Sequence, residues 1–444
     1  MTSDPTERVG RRHVLQTIAG LGSVSIAGCV GTEGENPTDE KENETTATDE
    51  NRDATTVNID ESAGSLEWKF TEPIGKVTSS PTIVDGTVYV GSSGDFGGDF
   101  AALYALDAVT GEREWKFTES GESVRSSPAV VNGTVYVGSG EALYAIDAAT
   151  GEREWAFTEP TNRIDASPTV RGGTVYVGSA DTTLYGVDAA TGEREWAFTE
   201  PSEDVDSSPT VVSGTVYVGS DDGTLYAVDG ATGDREWAFT EPSDSVYSSP
   251  TVASGTVYVG SRDGTLYAVD SETGGQKWAF IEPSDGVRSS PTVASGTVYV
   301  GSNDGTLYAV DVTTGEREWT YTAEYRDVST ISSSPTVVDG LVIVGTYVET
   351  NREHTHAGAV YAVDAATGQK AWAFGNPGGS VGSSPTVVDG TVFVGGVAPG
   401  SGATEGGAPT DGAVYALDAG VDGSSDGSRV RLGTLGHHDV AAET

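Results

Sequence analysis

Over most of this chain the apolar residues come in short runs, cut off by small polar groups. Between Ser207 and Phe239 the runs are PTVV, TVYVG, LYAVD and the segment around Trp237, separated by Ser-Gly, Asp-Asp-Gly-Thr and Asp-x-x-Thr-Gly. Runs this short, rich in Val and Tyr, predict strands, and four of them predict a four-stranded unit. Ser-Gly, replaced elsewhere by Asp-Gly or Asn-Gly, favours a hairpin turn with positive φ. In Asp-x-x-Thr-Gly the carboxylate is set to accept backbone N–H groups two or three residues on, while Gly takes the conformation other residues resist. Apolar residues on both faces of a strand require a sheet covered on both sides.

The unit recurs. Trp68, Trp115, Trp155, Trp196, Trp237, Trp278, Trp319 and Trp372 mark it, and from Trp155 to Trp319 the spacing is 41 residues. Ser-Pro marks it at Pro81, Pro128, Pro168, Pro209, Pro250, Pro291, Pro335 and Pro385. The LYAVD-type strand closes at Asp107, Asp147, Asp188, Asp229, Asp270, Asp311, Asp364 and Asp418. Four-stranded units of about 40 residues predict an all-β fold, an eight-bladed β-propeller. Trp68 precedes the first Ser-Pro, and no Trp strand follows Asp418. The N-terminal strand is therefore expected to complete the eighth blade and close the ring.

The frame ALDAVTGEREW, Ala105 to Trp115, and its copies resemble the tryptophan-docking repeat of the pyrroloquinoline-quinone (PQQ) dehydrogenase propellers and of their non-enzymatic BamB-like lipoprotein relatives. The resemblance covers roughly residues 65 to 420. It implies, for the enzymes, an adjacent-cysteine disulfide against the cofactor and a metal site. This chain departs from that, having one cysteine, Cys29, outside the repeats.

The ends are read differently. A twin Arg, Arg11 and Arg12, then a modest apolar stretch and IAGC ending at Cys29 have the order of a twin-arginine export signal with a lipidation site. Residues 1–28 are expected to be removed, leaving Cys29 as the lipid anchor. Residues 29–62, acidic and nearly free of apolar side chains, are expected to be a disordered tether. The propeller is assigned to 63–423 and a tail to 424–444. Asn43 and Asn132 begin glycan-acceptor triplets.

Acidic residues number 67 against 24 basic, a net charge of −43. That opposes nucleic-acid binding, since no basic face offsets it. Acids spread through every blade fit life in molar salt, where screening shrinks to about 3 Å. The chain is therefore expected on the outer face of the cytoplasmic membrane of a salt-loving, archaeal-type cell.

Candidate chemistry is sparse. His354 to His356 and His437 to Asp439 offer metal-ligand types with no third ligand implied, and the Asp-Gly runs read as turns rather than calcium loops. No nucleophile elbow or phosphate loop occurs. What departs from the repeat is the residue before Ser-Ser-Pro (Ala-Ser-Pro in the third unit), expected at the channel mouth where the first strand of each blade begins. In blade order it is Thr78, Arg125, Asp165, Asp206, Tyr247, Arg288, Ser332 and Gly382. Three long loops share that face, Ser92 to Phe100, Thr346 to Gly358 and Val397 to Gly412. Five residues, Arg125, Asp165, Asp206, Tyr247 and Arg288, are the candidate ligand site, with an anionic group expected near Arg125 or Arg288 and an apolar part against the Tyr247 ring. The expected function is non-catalytic: a binding or assembly scaffold for an envelope protein, peptide or glycan, without a cofactor. The alternatives are a quinoprotein dehydrogenase, holding PQQ and a divalent metal among Arg125, Asp165, Asp206 and Arg288, and a sensory module docking an envelope complex.

Overall fold

In the computed structural model the described residues are 57, 59–72, 76–94, 101–324, 329–348, 358–375, 380–397 and 412–425. The chain divides into Met1–Asp53, outside the described residues, and Ala54–Thr444, which holds the propeller. Eight antiparallel four-stranded sheets follow one another as blades, and the described residues contain no helix. Blade 4 shows the pattern, with strands Thr210–Val212, Thr215–Gly219, Leu225–Asp229 and Arg235–Phe239 in spatial order. The first strands contact each other around a closed circle, that of blade 8 (Thr386–Val388) meeting that of blade 1 (Thr82–Val84).

Closure is the one expected from Trp68. The strand Leu66–Phe70 pairs antiparallel with Gly412–Asp418 and becomes the fourth strand of blade 8. The packed chain extends beyond the 63–423 drawn from the sequence. Val57, Ile59 and Ala63 pack on the core shared by blades 7 and 8, and Ser425 Oγ bonds the backbone of Val387.

Burial explains the repeat. Strand residues are apolar on both faces because each sheet packs on two neighbours: Leu143 and Ala145 of blade 2 share a core with Val175 and Val187 of blade 3. On the lower face each Trp donates its indole N–H to a carbonyl in the turn of the next blade, Trp115 to Ala148 and Trp372 to Ala419, both at 2.9 Å. In blades 1 to 6 a second-strand tyrosine donates to the same oxygen, as Tyr89 does to Ala148. One carbonyl serves both because it has two lone pairs. The turn's glycine is required: Gly111 has φ 71°, and a Cβ there would lie 2.6 Å from Trp68. Asp107 accepts from the backbone N–H groups of Val109 and Thr110, as the motif predicts.

A second belt runs round the channel. In each blade the serine before the proline donates its backbone N–H to the matching serine Oγ of the next blade, from Ser80→Ser127 round to Ser384→Ser80. Eight bonds at 2.9–3.2 Å close the circle. Ser-Pro is thus a ring-closing device, which its repetition alone did not reveal.

Candidate functional site at the channel mouth

Each blade is entered through a segment that lies against the second-to-third-strand loop of the previous blade. Val205 N donates to Ser179 O and Val246 N to Ser220 O, and the same bond recurs round the ring. Lead-in segments and these loops therefore form one face, the mouth. The expected ring position is exposed in blades 1, 2 and 5 and half-buried in the other five, whereas the residues on either side are buried: Val205 and Ser207 are at most 1% exposed, with Asp206 between them. A fixed frame that holds one variable position per blade at the same face is what a binding face on a rigid scaffold needs.

Five ring residues on consecutive blades come together, and the structure adds four more. Arg163, two residues before Asp165, donates Nε to Asp165 at 2.9 Å and Nη2 to Asp206 at 2.9 Å and to Asp204 at 3.1 Å. Arg125 reaches Asp165 at 3.4 Å. Arg288 lies over the Tyr247 ring, 5.7 Å from its centroid. Asp221 and Arg262 open the loops of blades 4 and 5, their backbone N–H groups held by Asp204 and Ser245. Sequence reading missed Arg163, Asp204, Asp221 and Arg262. The available signal was period two: a residue two before the ring position faces the same way along an extended segment. In the runs SDDGT and SRDGT the Asp before Gly, Asp222 or Asp263, is the one whose carboxylate holds the turn. Asp222 accepts from Ser202 N, Thr224 N and Tyr226 Oη, which leaves the preceding residue free to vary at the mouth.

The charged arc spans blades 2 to 6, and it is not fully satisfied. Among the described residues Asp206 Oδ1, Asp221 Oδ1 and Arg288 Nε are buried without a hydrogen-bond partner. The Asp206 side chain is 5% exposed. Burial pushes its carboxyl up to about 6; Arg163 opposes this, and Asp165, Asp204 and Asp221 add to it. Burial and Asp204 also raise Asp221, against Arg262 and Arg288. The protein packed round Tyr247, with Asp206 and Asp165, pushes its phenol up to about 12. Arg163 is driven the other way from the usual effect of burial, because Asp206 and Asp165 hold it charged.

The remaining arc, blades 7, 8 and 1, is built otherwise. Ser329–Thr330 pairs with Tyr347–Val348 as a small extra sheet. Tyr347 lies beside the ring position of blade 8, 3.6 Å from where a Cβ on Gly382 would stand, and its hydroxyl accepts from Lys76 Nζ of blade 1 at 3.1 Å. Most of the three long loops lies outside the described residues, as do Arg11, Arg12, Cys29, Asn43 and the histidines at 354, 356, 437 and 438. Asn132 sits exposed in a hairpin turn on the lower face, with φ 52°.

No group of three or more His, Cys, Asp or Glu among the described residues is placed to hold a metal ion. A cleft of about 760 Å³ opens on the lower face between blades 1 and 2, lined by Asp85, Glu114, Trp115, Asn132 and Asp147. Its walls are the turn residues and docking tryptophan of the repeat, so it carries no chemistry particular to one blade. No described helix is long and apolar enough to cross a membrane.

A family model described as outer membrane protein assembly factor BamB matches residues 42–156, 102–243, 140–278 and 243–350. The overlap of the windows reflects the repeat. No curated protein matches significantly. Among solved structures, the computationally designed Ika8 protein is 16% identical with a TM-score of 0.64, covering 78% of this chain and 98% of its own. BamB from Moraxella catarrhalis is 19% identical with a TM-score of 0.60, covering 80% and 97%. The quinohemoprotein alcohol dehydrogenase from Comamonas testosteroni is also 19% identical at 0.60, covering 81% and 77%. At these identities the structures establish the propeller and nothing about chemistry.

Proposed function

This chain belongs to the family of the outer membrane protein assembly factor BamB, and from that premise we propose that it is a non-catalytic scaffold binding an envelope partner through its channel mouth. The observation that carries the reading is the contrast within each blade. Trp, Tyr, Ser-Pro and Asp-x-x-Thr-Gly recur as structure, while the mouth positions change and gather charge on blades 2 to 6. A rigid ring that varies only at one open face is suited to recognition. The partner is an envelope protein, a peptide or a glycan, and the chain is held at the outer face of the cytoplasmic membrane by a lipid on Cys29 after export directed by Arg11 and Arg12.

What weighs against the quinoprotein alternative is chemistry. One cysteine allows no adjacent-cysteine disulfide. The guanidinium groups of Arg125 and Arg163, available in principle to the carboxylates of PQQ, are paired with aspartates. The residues do not fit that cofactor.

The test is photo-crosslinking in cells grown in high salt, with the reactive residue at position 125, 206 or 247 and, as lower-face control, at 193. Adducts from the mouth positions alone support the scaffold; adducts from 193 alone, or none, reject it. Adding PQQ and calcium to purified protein tests the rival, since dye-linked alcohol or sugar oxidation would reverse the assignment. For the anchor, Cys29→Ser should release the protein or leave its precursor uncleaved, and replacing Arg11 and Arg12 by Lys should block export. An unchanged membrane fraction in both would remove the anchoring claim.

A further inference from the structure

The hydrogen bonds missing from the charged arc indicate what completes it. Resting on the mouth as a binding face, we propose that blades 4 to 6 accept a primary ammonium group carried beside an oxygen acceptor, as at the amino end of a peptide or in a free amino acid.

Three unpartnered buried polar atoms lie in this one arc: two carboxylate oxygens, on Asp206 and Asp221, and one guanidinium N–H, on Arg288. Leaving such an atom buried and unpaired destabilises the fold, more so when it is charged. Three within one arc mark it as a place where a polar partner can arrive from outside. The protein's own cations do not supply it. Arg163 turns Nε to Asp165 and Nη2 to Asp204 and Asp206, reaching Asp206 only through Oδ2, and Arg288 lies over Tyr247. An ammonium has three N–H donors and no acceptor, so one group can serve both carboxylates. An adjacent carbonyl or carboxylate oxygen then accepts from Arg288 Nε.

Charge selects against other ligands. Arg125, Arg163, Arg262 and Arg288 stand against Asp165, Asp204, Asp206 and Asp221, so the arc is formally balanced in a chain of net charge −43. A simple anion would find Arg288 but face the unpartnered oxygens of Asp206 and Asp221. A divalent cation lacks a third ligand among the described residues. An ammonium with its acceptor matches both signs. The groups round Asp206 are Arg163, Asp165, Asp204, Asp221, Tyr247 and Arg288, and an ammonium among them favours its ionised form. Binding should therefore tighten as pH rises through about 6.

The experiment is calorimetric titration of the full chain in molar potassium chloride with alanylalanine, its N-acetyl derivative, alanine and butylamine. Alanylalanine should bind, N-acetylation should weaken it by about tenfold or more, and Asp221→Asn should do the same without lowering the melting temperature. Asp221 suits this test because no side-chain hydrogen bond in the fold depends on its unpartnered Oδ1. Arg288→Gln should weaken alanylalanine but leave butylamine unaffected. Equal affinity for alanine assigns the site to free amino acids; tighter dipeptide binding assigns it to a peptide end. If no amine binds at tens of millimolar, if the N-acetyl form binds equally, or if Asp221→Asn changes nothing, water completes the arc and the proposal is wrong. Crosslinks from positions 125, 206 and 247 that persist in that case would leave the scaffold reading standing and remove only the ammonium.

Discussion

The lower face and the mouth use the same residue type, aspartate, to opposite ends. On the lower face Asp107, Asp147, Asp188, Asp229 and Asp270 sit in the turn before each Trp strand, and bonds from threonine hydroxyls and backbone N–H groups hold their carboxyls below the ordinary range. At the mouth, burial and neighbouring carboxylates hold Asp206 and Asp221 above it. The first set stabilises the fold as carboxylates. The second set is ionised at some cost to the fold. A protein keeps groups of the second kind where something other than stability is selected.

The largest break in this comparison is on the structural side. Trp68→Ala removes a side chain that closes the ring, packs on Gly111 and donates to Ala108 at 3.0 Å. The loss should be about 3–5 kcal/mol, read as a fall in melting temperature in molar salt. Deleting residues 60–72 should cost more, because it also strips the edge of blade 8. Deleting residues 30–55 should cost almost nothing. Equal melting temperatures for the two deletions would mean that closure lies elsewhere.

The next effect is in pH. Asp206 binds its proton more tightly folded than unfolded, so stability falls as pH rises from about 4 through about 6. The turn aspartates have the opposite sign, and their contribution is lost only as pH falls below the ordinary carboxylate range. Asp206→Asn should therefore flatten the slope between pH 4 and 6 and raise stability at pH 7 by on the order of 1–3 kcal/mol. Melting curves across that range check it; an unchanged slope would mean that Asp206 titrates normally.

How far the sequence carried differs between the two faces for a physical reason. Eight copies of Trp, Ser-Pro and Asp-x-x-Thr-Gly average out local ambiguity, and each copy does the same job, so blade number, strand order and ring closure by Trp68 could all be read. Function resides in what is not repeated, and a position that varies gives no internal comparison. The ring from Thr78 to Gly382 was legible because a fixed frame surrounds it. Arg163 was hidden one alternation earlier, and Asp221 and Arg262 were hidden inside turns whose following Asp is structural. That Arg125 would face Asp165, and Arg288 the Tyr247 ring, depended on side-chain directions across blades that no linear pattern records.

A smaller effect separates fold from site at Arg163. It ties Asp165, Asp204 and Asp206 together across blades 3 and 4, with 42% of its side chain exposed. Arg163→Ala leaves three carboxylates facing one another and should cost about 1–2 kcal/mol, a value reduced by solvent screening. The double variant with Asp206→Asn should recover part of that loss, because one of the repelling charges is gone. Additive losses would mean that the three carboxylates do not act on one another.

The smallest expected change in stability is at Arg125, and for that reason it divides the two faces most cleanly. Its contact with Asp165 is 3.4 Å long and its side chain is 52% exposed. Exposed pairs of this kind contribute about 0–1 kcal/mol, less in molar salt. Arg163 also remains on Asp165 when Arg125 is gone, so no carboxylate is left unpaired. Arg125→Ala should therefore melt within about 0.5 kcal/mol of the parent, as should the lower-face control Glu193→Ala. If the mouth recognises a partner, Arg125→Ala should nonetheless reduce crosslinking from position 247, while Glu193→Ala should not. A loss of crosslinking without a loss of stability can arise only from the binding face. Should Arg125→Ala crosslink like the parent, the site contracts to blades 4 to 6, and the variation at blade 2 is drift on a tolerant surface.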